Sequence, residues 1–222
     1  MHRRRALEIF RTLEKSYPED VTVGVPFENP FEALILTILS AQTTDRQVGT
    51  IRDTLFRRFP TPRDLAGADT EEVESVIRST GYYHVKAKNI VAAARMILED
   101  FHGEVPRTFP ELLDLPGVGR KTANIVLSRA FGIHAGIAVD THVFRVSRRI
   151  GFSDGTTAEN VEQDLVSLFP PECWGEINAL FITHGRRICS ARKPKCDICP
   201  VRRSCRYYKT VVRPKKGLTR DQ

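Results

Sequence analysis

Four cysteines near the C-terminus, Cys189, Cys196, Cys199 and Cys205, follow the spacing C-x6-C-x2-C-x5-C. Thiolates at such spacing bind metal. A structural zinc site usually pairs two short C-x2–4-C elements, whereas here a single C-x2-C has one outlier on each side. Thiolates also hold iron–sulfur clusters, with spacing that differs among families. The pattern therefore points to a metal centre and leaves zinc and iron–sulfur both open. Between the first two cysteines runs Ser190-Ala191-Arg192-Lys193-Pro194-Lys195, a strongly basic loop. A basic loop pinned by metal suits contact with phosphate. Cys173, the remaining cysteine, is expected to be a small buried thiol.

A second set of residues lies upstream. Leu115-Pro116-Gly117-Val118-Gly119 is a tight turn between two helical stretches, followed by Arg120-Lys121-Thr122-Ala123. Its glycines permit positive φ and remove side chains that would block close approach. The following helix offers free backbone N–H groups at its N-terminus, a site for a phosphate oxygen. Arg120 separates Gly119 from Lys121, so there is no P-loop, and the third glycine of a dinucleotide fingerprint is missing. In the first turn of that helix, Lys121 faces the positive end of the dipole beside Arg120. Both effects favour the neutral amine, the form that attacks carbon. The plainer alternative is a solvated, phosphate-binding lysine. Asp140, in Ala138-Val139-Asp140-Thr141-His142, directly precedes an amphipathic stretch. It suits a helix N-cap, or a carboxylate that accepts a proton or stabilises a developing cation.

These residues need a scaffold, and the chain reads as helix throughout. Apolar residues recur at helical spacing over Arg4 to Ser16. Pro30 to Ser40 is apolar enough for a buried central helix. Further helices are expected from Thr44 to near Pro60, a short one from Thr61, one from Thr70 closed by Gly81, and one over Lys86 to Asp100. Next come Thr108 to Leu115, Lys121 to Ala130, Thr141 to Ile150, Ala158 to Leu168 and Trp174 to Gly185. No strand alternation or repeat is evident. The last dozen residues resemble a frayed basic tail.

Over 222 residues the hydrophobic fraction is 41%, sufficient for a real core, and the net charge of +7 favours an anionic partner, nucleic acid before membrane. No stretch approaches the roughly 20 apolar residues of a membrane span, and the charged N-terminus lacks the apolar segment of a secretion signal. The cysteines of such a chain argue for metal rather than disulfides.

Leu115 to Ala123, Val139-Asp140-Thr141-His142 and the cysteine set together resemble endonuclease III, a family of helix–hairpin–helix DNA glycosylases with a [4Fe-4S] cluster. The resemblance extends over nearly the whole chain, including Leu39-Ser40-Ala41-Gln42 and Gly81-Tyr82-Tyr83-His84-Val85-Lys86. It implies an all-α, two-lobed fold: a six-helix barrel over residues 23–133 with its hairpin at 115–121, and a cluster lobe built from 1–22 and 134–222 with its loop at 189–205. By resemblance Lys121 is the nucleophile, Asp140 the catalytic aspartate, and Cys189, Cys196, Cys199 and Cys205 the cluster ligands. Gln42 matches a residue that fills the gap left in the duplex. Tyr82 stands where the family commonly has an aliphatic wedge. Gly117, Val118, Gly119, Arg120, Arg192, Lys193 and Lys195 are the expected further DNA contacts.

The implied activity is bifunctional: removal of oxidised or damaged pyrimidines from double-stranded DNA, then cleavage 3′ to the abasic site. The expected protein is a monomer without a membrane partner, cytoplasmic and nucleoid-associated if prokaryotic. Two other readings stand beside it. One is a mismatch glycosylase for thymine or adenine, whose relatives usually lack a lysine at the position of Lys121. The other is a non-catalytic, redox-sensing DNA-binding module, for which a Lys121–Asp140 pair would be unneeded.

Overall fold

The computed structural model of the chain describes residues 1–18 and 24–213, and among these every regular element is helical. The chain divides into two compact units, one Gly24–Ala135 and the other Met1–Val23 with Gly136–Gln222. The expected basic tail lies mostly outside the described residues.

The 24–135 unit contains seven helices: α2 (Pro30–Leu39), α3 (Asp45–Arg58), α4 (Pro62–Ala66), α5 (Thr70–Ile77), α6 (Tyr83–Asp100), α7 (Phe109–Asp114) and α8 (Arg120–Phe131). Helix α2 buries Phe31, Leu34, Ile35, Leu36, Ile38 and Leu39, more than one face of the helix, because it packs against α3, α6 and α8 together. Ile90, Val91, Ala94 and Ile97 of α6 and Ala123, Val126 and Leu127 of α8 complete this core. Leu115 and Val118 are also buried in it, which anchors the turn between α7 and α8 from beneath.

Side chains cap the N-termini of five of these helices. Asn29, Thr44, Thr61, Asp69 and Thr108 each accept a backbone N–H from the first turn that follows them, and Thr61 completes a capping box with Asp64. The exceptions are α6 and α8, which begin after Tyr82 and Gly119 with no side-chain cap. This explains the largest boundary difference from the sequence reading. Helix α6 starts three residues before the expected Lys86, since Tyr82 leaves no capping signature, and α5 ends at Ile77 before Gly81 is reached.

The other unit contains α1 (Arg3–Ser16), α9 (Thr141–Ile150), α10 (Ala158–Leu168) and α11 (Trp174–Arg187). Its core joins Phe10 and Leu13 of α1 to Val143, Val146 and Ile150 of α9, Leu165 of α10 and Phe181 of α11. Phe152 stacks on Phe181 and meets Phe169 edge-on, at centroid distances of 5.6 and 5.2 Å. Cys173 is buried here, as its composition class led one to expect. Among the described residues beyond α11 the chain makes only short turns, the last a π-helical turn over Tyr208–Val212.

Candidate active site and metal centre

In the 24–135 unit the turn over residues 115–119 joins α7 to α8. Gly117 has φ +81° and a Cβ there would lie 3.0 Å from Asn89 Cβ, so two independent constraints demand glycine. Gly119 differs: its backbone is extended and a Cβ would meet nothing within 4 Å. Its face is open toward solvent at the start of α8. No side chain caps that N-terminus, so its first N–H groups keep their capacity for an anion. Arg120 and Lys121 are both exposed in the first turn, and the Arg120 guanidinium lies 4.9 Å from the Phe109 ring centroid.

Gln42 and Tyr82 belong to the same unit. Both are exposed, Tyr82 at 69%, and both hold a left-handed backbone, with φ 52° and 58°. Non-glycine residues rarely adopt that conformation, and surrounding structure must enforce it. The two loops are in contact, since a Cβ at Gly81 would sit 3.5 Å from the Gln42 carbonyl oxygen.

Asp140 lies in the other unit and is the N-cap of α9. Its Oδ1 accepts the backbone N–H groups of His142 and Val143, each at 2.8 Å. Both bonds fall on Oδ1, so the cap fixes the carboxylate without using Oδ2. The carbonyl of Ala138, just upstream, accepts from Asn178 Nδ2 at 2.7 Å, which holds the approach to the helix.

The cysteine segment is organised by α9 and α11. Arg145 Nε donates to the Cys189 carbonyl at 3.0 Å. Arg149 donates to the carbonyls of Ser190 and Ala191 at 2.7 and 2.8 Å, and its Nη1 lies 3.5 Å from Cys189 Sγ. Its guanidinium also covers the Tyr207 ring at 4.6 Å. Within the loop, Lys195 N–H reaches the Ile188 carbonyl and Ser190 Oγ the Lys193 carbonyl. The backbone is therefore fixed while Arg192, Lys193 and Lys195 remain exposed. Sequence reasoning missed Arg145 and Arg149. Their only signal is i, i+4 spacing on an amphipathic helix, which a solvated charged face would share.

Cys189, Cys196, Cys199 and Cys205 line one recess with Ile188, Val201 and Tyr208. Among the described residues no group of three or more His, Cys, Asp or Glu is arranged to hold a single ion. Four thiols lining one recess form a donor set of the kind that holds either zinc or an iron–sulfur cluster. Burial pushes the Cys199 thiol up to about 11 and raises Cys196 and Cys205, and neighbouring cysteines add to each shift. Bare thiolates are thus disfavoured here, and cationic metal would relieve that cost. His184, also unremarked in the sequence, is buried and lines the recess. Its Nε2 lies 3.8 Å from Cys199 Sγ and its Nδ1 2.7 Å from Tyr17 Oη. Burial holds its imidazole down to about 4 and pushes the Tyr17 phenol up to about 12. The ring is therefore neutral at pH 7.

Two family models match the chain. That of the HhH-GPD superfamily of base excision DNA repair proteins covers residues 35–171, and the iron–sulfur binding domain of endonuclease III covers residues 189–205. Fold and site together define a helix–hairpin–helix base excision DNA repair protein with an iron–sulfur centre. Endonuclease III of Synechocystis sp. is 47% identical over 203 residues, which span 91% of this chain and 92% of the relative. Endonuclease III of Escherichia coli K12 is 41% identical over 211 residues, 95% and 99% of the two chains. The chain belongs to the endonuclease III family.

Solved structures agree. A trapped endonuclease III–DNA covalent intermediate, an estranged-adenine complex, matches with a TM-score of 0.89 at 41% identity, covering 96% of this chain and 100% of that one. A thermostable thymine-DNA glycosylase matches with a TM-score of 0.78 at 29% identity, covering 92% and 96%. The choice that spacing left open between zinc and iron–sulfur falls to iron–sulfur, the [4Fe-4S] group of this family. Among the described residues no helix is long and apolar enough to cross a membrane.

Replacing Cys199 with serine is expected to abolish the centre. Iron and acid-labile sulfide, equal in the wild-type protein, should both fall to background, together with the visible absorbance. Because metal binding is folding free energy for such loops, the melting temperature should also fall. Cys173→Ser, outside the recess, should leave iron content unchanged.

Proposed function

We propose that this chain is a bifunctional DNA glycosylase and AP lyase of base excision repair, acting on double-stranded DNA with an oxidised or otherwise damaged pyrimidine or an abasic site. The observation that carries the reading is Lys121: an exposed amine in the first turn of a helix whose N-terminus no side chain caps, two residues after a glycine at which a Cβ would meet nothing within 4 Å. The hairpin, through Gly117, Val118, Gly119 and Arg120, holds a phosphate, with Arg192, Lys193 and Lys195 adding further backbone contacts. Such contacts set register without reading sequence.

The damaged nucleotide is flipped from the stack, which costs a few kcal/mol and less for a damaged base. Gln42 fills the vacancy and the Tyr82 ring stacks as the wedge. Lys121 Nζ attacks C1′ as the bond from C1′ to the base breaks and the base departs. Asp140 accepts the proton released by the amine and stabilises oxocarbenium-like charge. The sugar ring then opens as the C1′–O4′ bond breaks and O4′ takes up the proton held by Asp140, and the imine left between Nζ and C1′ acidifies the C2′ proton. Its loss expels the 3′ phosphate, and the strand is cut by β-elimination. Cys189, Cys196, Cys199 and Cys205 hold the cluster, which serves to fix the basic loop. The working unit is a monomer, and its site of action is cytoplasmic DNA, nucleoid-associated in a prokaryote.

The test is incubation with a duplex bearing one oxidised pyrimidine in the presence of borohydride. A covalent protein–DNA adduct is expected. Base release without an adduct would instead indicate a monofunctional glycosylase. Neither adduct nor release on several lesions would indicate a binding module.

The two hairpin glycines provide a contrasting prediction. Gly117→Ala should lower the melting temperature, as its left-handed backbone and the Asn89 contact resist a side chain, at a cost of about 1–2 kcal/mol. Gly119→Ala should cost less stability yet weaken DNA binding about tenfold by displacing a phosphate contact. Thermal melts paired with binding isotherms would separate the two.

A further inference from the structure

Lys86 is the one buried lysine among the described residues, 5% exposed. Its ammonium donates to the carbonyl of Leu39, the last residue of α2, at 2.8 Å and to Thr43 Oγ1 at 2.7 Å. Thr43 Oγ1 in turn donates to the Ala41 carbonyl at 3.3 Å. These partners bracket Gln42 from both sides. Through its own backbone N–H, Lys86 bonds the Tyr82 carbonyl at 3.0 Å and closes the first turn of α6. One residue thus ties the loop bearing Gln42 to the helix start bearing Tyr82. Of the three non-glycine residues with positive φ among the described residues, Gln42 and Tyr82 are two. Such backbones persist only where their surroundings over-determine them.

The chemistry explains why a lysine sits there. Carbonyls at the end of a helix lack intrahelical partners and carry the negative end of its dipole, so a buried ammonium finds a strong acceptor at Leu39. Burying that charge is nevertheless costly, and burial lowers the pKa of Lys86. An apolar side chain of the same length would fill the space without that cost. What the lysine adds is direction: donors aimed at two points on the α2–α3 turn.

We propose that Lys86 is a positioning residue that locks the Gln42 loop to the Tyr82 helix start, so that the two side chains enter the duplex as one preset unit. This rests on the proposed function, in which Gln42 and Tyr82 occupy the space left by the flipped base. Lys86 itself touches no DNA in this scheme and takes no part in imine chemistry at Lys121.

The test uses the cluster-loaded protein with Lys86→Met, and Thr43→Val as a second variant that keeps the buried charge. Single-turnover base release is measured on a duplex with the lesion paired, and borohydride trapping on a single-stranded abasic oligonucleotide. Lys86→Met should slow release from the paired duplex by about 10- to 100-fold, the scale on which small misplacements act. Trapping on the single strand, which has no vacancy to fill, should be unchanged. Thr43→Val should show the same split with a smaller loss. Combined with Gln42→Ala and Tyr82→Ala, Lys86→Met should add no further loss, because residues acting through one another are not additive. Equal losses on both substrates, an additive loss, or no loss in either variant would overturn the proposal. If Lys86→Met does not fold, the split in Thr43→Val decides. Wild-type protein inactive on both substrates would instead bring down the glycosylase reading. Active wild type with Gln42→Ala and Tyr82→Ala unimpaired would remove the duplex roles of those two residues, and the positioning role with them.

Discussion

Lys121→Ala is expected to leave no borohydride-trapped adduct and to lower strand cleavage at an abasic site by about a thousandfold or more, the scale on which loss of a nucleophile acts. The side chain is exposed, so its removal opens no cavity. Alanine is also the best helix former, and α8 should keep its first turn. Stability and iron content should therefore match wild type, which makes any loss chemical. Binding to a duplex with an uncleavable abasic analogue should weaken only modestly, with the salt slope smaller by about one if the ammonium also neutralises a phosphate. Retained binding with lost cleavage distinguishes a nucleophile from a solvated phosphate ligand. Cleavage at the wild-type rate would sink the assignment of Lys121.

Asp140→Asn should lower base release by about 10²- to 10⁴-fold, the range of a positioned proton acceptor. The substitution is informative because asparagine caps helices about as well as aspartate. The amide oxygen can still accept from the His142 and Val143 N–H groups, and α9 should keep its N-terminus. Asp140→Ala would lose the same activity and about 1 kcal/mol of stability besides, through loss of the cap. Thermal melts of the two variants, set beside their single-turnover rates, separate the roles. If Asp140→Asn excises at the wild-type rate, the residue is a cap and nothing more.

Much of this molecule is legible in its sequence because the signals are local. Ser/Thr/Asp/Asn caps and apolar periodicity mark α3, α7, α9 and α10 closely, since each helix start is specified by residues within one turn of it. The start of α6 was missed for the same reason. Tyr82 makes no side-chain cap hydrogen bond, and it enters the helix from a left-handed backbone that non-glycine residues rarely adopt. Glycine at 117 and 119 looks identical in sequence, yet only Gly117 is pressed against another side chain. The nearest atoms belong to Asn89, one helix away.

The sequence by itself determined the all-helical class, the turn before Lys121, the cap at Asp140 and the presence of a thiolate metal site. Each depends on neighbours a few residues apart, where chain geometry is fixed. Spacing alone could not choose iron–sulfur over zinc, and the match to the iron–sulfur binding domain of endonuclease III made that choice. Nor could spacing reveal that Arg145 and Arg149 of α9 hold the basic loop across some forty residues of chain, or that Lys86 serves the turn that carries Gln42. Those assignments rest on burial and on carbonyls left free at helix ends and in loops, properties that exist only once the helices have packed.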